Sequence, residues 1–164
     1  MSTIAQSRKI DRLLAEYGES HRNHTNKSIH WICVPVIFFT IFGLIRSIPV
    51  PDAFASVPYL SWASILLALA LVYYLTLSFS LFLGFLIFGS LVVIGNEYLY
   101  SLNTPEMNYL LIISAALFVI AWVGQFIGHK IEGKKPSFLK DLQFLLIGPA
   151  WLMHFIYKKI GIPY

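Results

Sequence analysis

A single cysteine, Cys33, in 164 residues excludes an intramolecular disulfide. It also leaves no cysteine pair for a structural zinc site or an iron–sulfur cluster. Charge is scarce too. Only 12% of residues are charged, where soluble proteins carry about 25%, while 57% are hydrophobic and the mean hydropathy is +0.70. Residues 53–96 contain no Asp, Glu, Lys or Arg at all. Roughly 20 apolar residues span a bilayer, so this run is long enough for two passes, and the chain reads as a multi-pass membrane protein. No internal repeat of the transporter kind is visible. Glycine-rich phosphate loops, serine-nucleophile motifs and nucleotide fingerprints are absent as well. Residues 1–27 are polar and charged with no apolar stretch, so they do not read as a cleavable signal.

What is present points to an all-α integral membrane bundle, residues 1–164 forming one membrane-embedded domain. Ile4, Ile10, Leu13, Leu14 and Tyr17 recur at helical spacing between charges, which predicts an amphipathic helix over 3–20 that Gly18 ends. Residues 21–28 read as a polar loop or helix start. A first span is expected over 28–45, kinked or broken by Pro35. A helical hairpin follows over 59–94, turning near 75–80, then a polar loop over 97–106 and a clear span over 107–128. These make about four transmembrane helices. Residues 129–141 read as a polar His/Glu loop. The last apolar stretch, 142–157, is short and contains Gly148-Pro149, which predicts a re-entrant or interfacial helix pair.

The net charge of +4 is explained by its distribution and calls for no nucleic-acid partner. Of the twelve Lys and Arg residues, all but Arg46 lie in 1–27, 130–140 and 158–159. The segments 46–58 and 96–106 hold that one base and the acids Asp52, Glu97 and Glu106. Positive residues favour the cytoplasmic side, so the N-terminus and the 128–141 segment are expected there. The membrane would be a bacterial inner membrane or the endoplasmic reticulum. His21, His24 and His30 precede the first span and His129 follows the fourth, so topology alone brings the two polar clusters to one face.

A lone histidine in an apolar protein is usually a hydrogen-bonded packing residue. Five histidines gathered near one face are a different matter, because neutral imidazole is the commonest protein metal ligand and ionisable groups at membrane depth mark functional sites. Gln125, His129 and Glu132 stand at i, i+4 and i+7 and share a face if the helix continues through 132. Glu132 then shares a metal with His129, orients its ring, or simply pairs with Lys130 or Lys135 at a solvated helix end. His154 is either a further ligand or an interfacial residue. Membrane di-iron hydroxylases need about eight histidines in repeated boxes, so one iron fits this set better. Two readings of other classes stay open: a lipid-binding or transport protein with interfacial histidines, and a zinc-dependent lipid hydrolase with Glu132 as general base.

Two motifs carry a resemblance. The first is Tyr17-x-x-x-His21-x-Asn23-x-x-Asn26-Lys27-x-x-His30-Trp31, running on to Pro35. The second is Trp122-Val123-x-Gln125-Phe126-x-Gly128-His129-x-x-Glu132, with Pro136 after it. In this order and membrane context they resemble the 2-hydroxy fatty acid dioxygenase family, which takes phytosphingosine-derived 2-hydroxy fatty acids to odd-numbered fatty acids. The resemblance implies an Fe(II)-dependent dioxygenase of fatty acid α-oxidation with a 2-hydroxy fatty acid and dioxygen as substrates. It implies His21, His30 and His129 as iron ligands and His154 as a further one, with Glu132, Gln125 and Asn26 completing the catalytic set. His24 departs from the family pattern, where proline is common.

Overall fold

In the computed structural model, which describes residues 8–136 and 143–164, the chain is all helical: seven helices and no strand among the described residues. They are α1 (Lys9–Gly18), α2 (His24–Arg46), α3 (Asp52–Ala55), α4 (Trp62–Leu77), α5 (Phe79–Ser101), α6 (Tyr109–Glu132) and α7 (Phe144–Ile160). Three of them, α2, α5 and α6, are long and apolar enough to cross a membrane. The fourth expected span is α4, an apolar helix of 16 residues, ~24 Å at 1.5 Å per residue. Large apolar side chains cover the outer faces, among them Leu69, Ile87 and Ile120, the reverse of a water-facing surface.

Helix α2 is the hub. Asn23 caps its start, its side-chain oxygen accepting from the backbone N–H of Thr25 at 2.8 Å and Asn26 at 3.3 Å. The helix runs on through Pro35 without a break, as apolar helices tolerate a proline where packed neighbours re-satisfy the freed backbone group. It packs antiparallel to α6 along a seam of small residues. A Cβ on Gly128 would lie 2.4 Å from Asn26 Oδ1, one on Gly124 2.7 Å from Cys33 Sγ, and one on Gly43 2.2 Å from Ser114 Oγ. Gly124 and Gly128, four apart, thus let the two backbones approach as small-xxx-small pairs do in lipid. Gly43→Val is expected to push α6 away at the end of the seam remote from the histidines. That overpacking should cost about 1–3 kcal/mol, read as a lowered melting temperature in detergent.

The expected hairpin is α4–α5. Ser78, with extended backbone, makes its turn and caps α5 through Leu81 N–H at 3.3 Å. Helix α5 runs to Ser101, seven residues past the expected end at 94. The carboxylate of Glu97 marks no loop, because Arg46 from α2 pairs with it at 2.6 Å, and the same guanidinium lies 3.8 Å from the centre of the Tyr100 ring. Helix α6 continues through Glu132, so residues 129–132 are helix and the loop begins at Gly133. That glycine takes a left-handed conformation (φ 73°) and returns its N–H to His129 and Lys130.

The expected C-terminal helix pair is one continuous helix, α7, with Pro149 inside it. Pro35 and Pro149 face a common apolar recess between α2 and α7. Helix α1 lies along α7 with Ile10, Leu14 and Tyr17 buried. Residues 3–7 of the expected amphipathic helix, 137–141 of the expected loop and 142 of the last apolar stretch lie outside the described residues.

Candidate metal centre

Two distant pieces of chain, the α1–α2 turn and the last turn of α6, meet where α2 begins. His21 stands in the turn, His30 two turns into α2, and His129 one turn before the end of α6. All three are buried, and one nitrogen from each lies within 4.8 Å of the others. Ring centroids are 4.3 Å apart for His21–His30, 5.0 Å for His21–His129 and 4.9 Å for His30–His129. The three planes are nearly perpendicular to one another, at 82°, 77° and 88°. Three imidazoles this close, each offering one nitrogen to the others, could hold a single ion between them.

The protonation of each ring is set by what holds its outer edge. His21 Nδ1 is 2.6 Å from the Tyr17 carbonyl, and His30 Nδ1 is 2.9 Å from the Asn26 carbonyl. A carbonyl only accepts, so both Nδ1 atoms carry the proton and both Nε2 atoms present a lone pair. The device is the same twice, a histidine donating to the carbonyl four residues earlier. The His129 ring faces the backbone at Lys134, beyond the Gly133 turn. What remains is His21 Nε2, His30 Nε2 and His129 Nδ1, each buried and without a hydrogen-bond partner. Burial, with His30 alongside, pushes the His21 pKa down to about 3, so this imidazole is neutral across the physiological range.

Buried polar atoms without partners are rare in folded proteins and ask for an explanation. Three in one spot, all lone pairs facing one another, fit a bound cation. The donor set supports this: neutral imidazoles fixed by an outer hydrogen bond are how proteins present histidine to metals.

The acid has a different task. Glu132 accepts from Arg22 N–H and Asn23 N–H, both at 2.8 Å, and from Asn26 Nδ2 at 3.0 Å. It therefore ties the end of α6 to the start of α2. Asn26 also donates to the Ser20 carbonyl at 3.1 Å, so one side chain spans both strands of the turn that carries His21. Gln125 is buried one turn before His129 and adjoins His30, and its Nε2 has no partner. Lys134 donates to the Glu19 carbonyl at 2.9 Å.

The structure does not bring the other two histidines here. His154 lies edge-on to Phe155 and Tyr164, at 5.1 and 5.0 Å. His24, the first residue of α2, is exposed. The site also has an aromatic wall, of which only Tyr17 stands in the sequence motifs. Tyr17 stacks on His21 at 4.1 Å and 11°, and Trp151 of α7 lies 5.2 Å from the same ring. The signal for Tyr17 was its place four residues before His21, the spacing Asn26 keeps to His30. For Trp151 there was no local signal.

A cavity of about 60 Å³ opens beside the histidines, walled by Tyr17, Gln125 and His129 at one end and by Phe38, Ile41 and Leu145 at the other. Residues 7–160 match the family described as Mpo1-like, 2-hydroxy-palmitic acid dioxygenase Mpo1-like. No curated protein and no solved structure matches the chain.

Proposed function

Because the chain belongs to the Mpo1-like family, we propose that it is an Fe(II)-dependent dioxygenase of fatty acid α-oxidation. It converts a 2-hydroxy fatty acid and dioxygen to the fatty acid one carbon shorter, carbon dioxide and water. The balance is R–CH(OH)–COOH plus O2 giving R–COOH, CO2 and H2O. All four electrons come from the substrate, so 2-oxoglutarate, flavin and nicotinamide are not needed. The observation that carries the reading is the set of three buried, unpartnered histidine nitrogens.

His21, His30 and His129 would hold the iron, and bound iron would supply the redox chemistry with dioxygen that no side chain here provides. Zinc would fit three histidines equally well but is redox-silent, and the family name asks for oxidation. The rest is the protein's own work. All three ligands are neutral and Glu132 is committed to three N–H donors, so the charge of the ion is left for an anionic chelator. The carboxylate and hydroxyl of a 2-hydroxy acid supply one. Gln125 Nε2, a buried donor beside His30, orients that carboxylate. Tyr17 and Trp151 keep water from the His21 side. Asn26 and Glu132 are positioning residues. His154 stands outside this group of three and is assigned no ligand role.

The same reading makes the chain one membrane-embedded unit, with its N-terminus and histidines at the basic, cytoplasmic face. The test is aerobic turnover of 2-hydroxypalmitate by the iron-loaded protein. Pentadecanoate and carbon dioxide in equal amounts support the assignment. Unchanged substrate, or a product that keeps every carbon, contradicts it.

A further inference from the structure

The small cavity beside His129 adjoins a larger one across a shared wall. Phe38, Ile41 and Leu145, which close its far side, also form the near wall of a second cavity of about 350 Å³ between α2, α4 and α7. The character of the lining changes along the way. The first cavity has His129 and Gln125 at its mouth, whereas Tyr73 is the only residue in the second with a polar side chain. Ala63 and Ala70, seven apart on one face of α4, leave the space that larger residues would fill. Leu66 and Leu69, 46% and 62% exposed, form an outer lip that opens on the apolar surface.

The length of this path suits one occupant. From His30 to Phe42 along α2 is twelve residues, ~18 Å at 1.5 Å per residue. Half of a ~30 Å hydrocarbon core is about 15 Å, so the path is as long as one leaflet's acyl chain. It is polar where a carboxylate would sit and apolar along the rest.

We propose that the α2–α4–α7 groove binds the acyl tail of the substrate, which enters sideways from the bilayer past Leu66 and Leu69 and threads the Phe38–Ile41–Leu145 junction so that its head reaches the histidines. This rests on the function proposed above and adds the binding site, the route of entry and the residues that set chain length. The short helix α4 is the specificity wall. A fatty acid drawn from lipid never needs to leave it, so the head arrives at the site without crossing water.

Two readouts test it. The first is photolabelling of the iron-loaded protein in phosphatidylcholine vesicles, without oxygen, by 2-hydroxypalmitate carrying a diazirine at its methyl end. Label is expected on Leu66, Leu69, Ala70 and Tyr73, and unlabelled 2-hydroxypalmitate should remove it. Label spread over lipid-facing residues such as Ile87 and Ile120, and indifferent to the competitor, overturns the proposal. The second is Leu66→Trp, at an exposed position where folding is tolerant. It should lower kcat/KM about tenfold for 2-hydroxypalmitate and leave 2-hydroxyhexanoate unchanged. An equal loss for both acids, or none for either, counts against the groove. The two proposals separate cleanly. Competed label on α4 without any product upholds the groove and removes the dioxygenase, while product with dispersed label does the reverse.

Discussion

His30→Ala should abolish turnover, by more than ~100-fold, since removing even an outer hydrogen-bond partner of a metal ligand costs up to that much. Iron retained after gel filtration should fall in parallel. The fold should survive, for reasons visible in α2. Its cap is Asn23, its seam with α6 is carried by Asn26, Cys33 and Gly43, and none of these contacts uses the imidazole. The one bond lost is from Nδ1 to the Asn26 carbonyl. The lone pair it removes is one of three held close together, so the metal-free protein gives up little stability with it. His21→Ala and His129→Ala should behave alike, and His154→Ala should keep both iron and activity. Full activity in any two of the first three variants would sink the ligand assignment. The checks are product formation, iron content and helical signal on the same preparations.

Glu132→Gln should have the second largest effect, and its pattern distinguishes a clamp from a general base. The carboxylate accepts three N–H donors, two from backbone and one from Asn26. An amide offers one oxygen and turns its NH2 group toward donors. The loss should cost about 2 kcal/mol, and the freed turn carries His21. A lower melting temperature, a weaker affinity for iron and a slower turnover are expected together, and Glu132→Asp should recover part of all three. A residue acting only as a base, as in the zinc hydrolase reading, would leave melting and metal affinity untouched while turnover vanished.

Much of the arrangement was legible in the sequence because long apolar helices and sparse charge impose strong constraints. The uncharged run over 53–96 gave the α4–α5 hairpin, and its turn at Ser78 fell within the expected 75–80. Charge bias put both polar clusters at one face, and the antiparallel pairing of α2 with α6 brings them together. What misled was local punctuation. Glu97 looked like a loop boundary, yet its partner Arg46 comes from another helix. Gly148-Pro149 looked like a break, yet Gly148 is where the Tyr17 hydroxyl approaches, 2.9 Å from a would-be Cβ, and α7 carries the proline through. Both depend on tertiary partners that periodicity cannot report. The histidine set shows the same limit. His154 carries the same chemistry as His21, and packing separates the two.

The proposed function depends most on three histidines from two distant segments converging on a single ion. Anaerobic titration of the purified full chain with Fe(II), followed by metal analysis after desalting, measures this directly. One iron per chain, lost on replacing any one of His21, His30 or His129 and kept on replacing His154, is the predicted result. No retained iron in the wild-type chain, or one iron per chain that persists without His129, would contradict it.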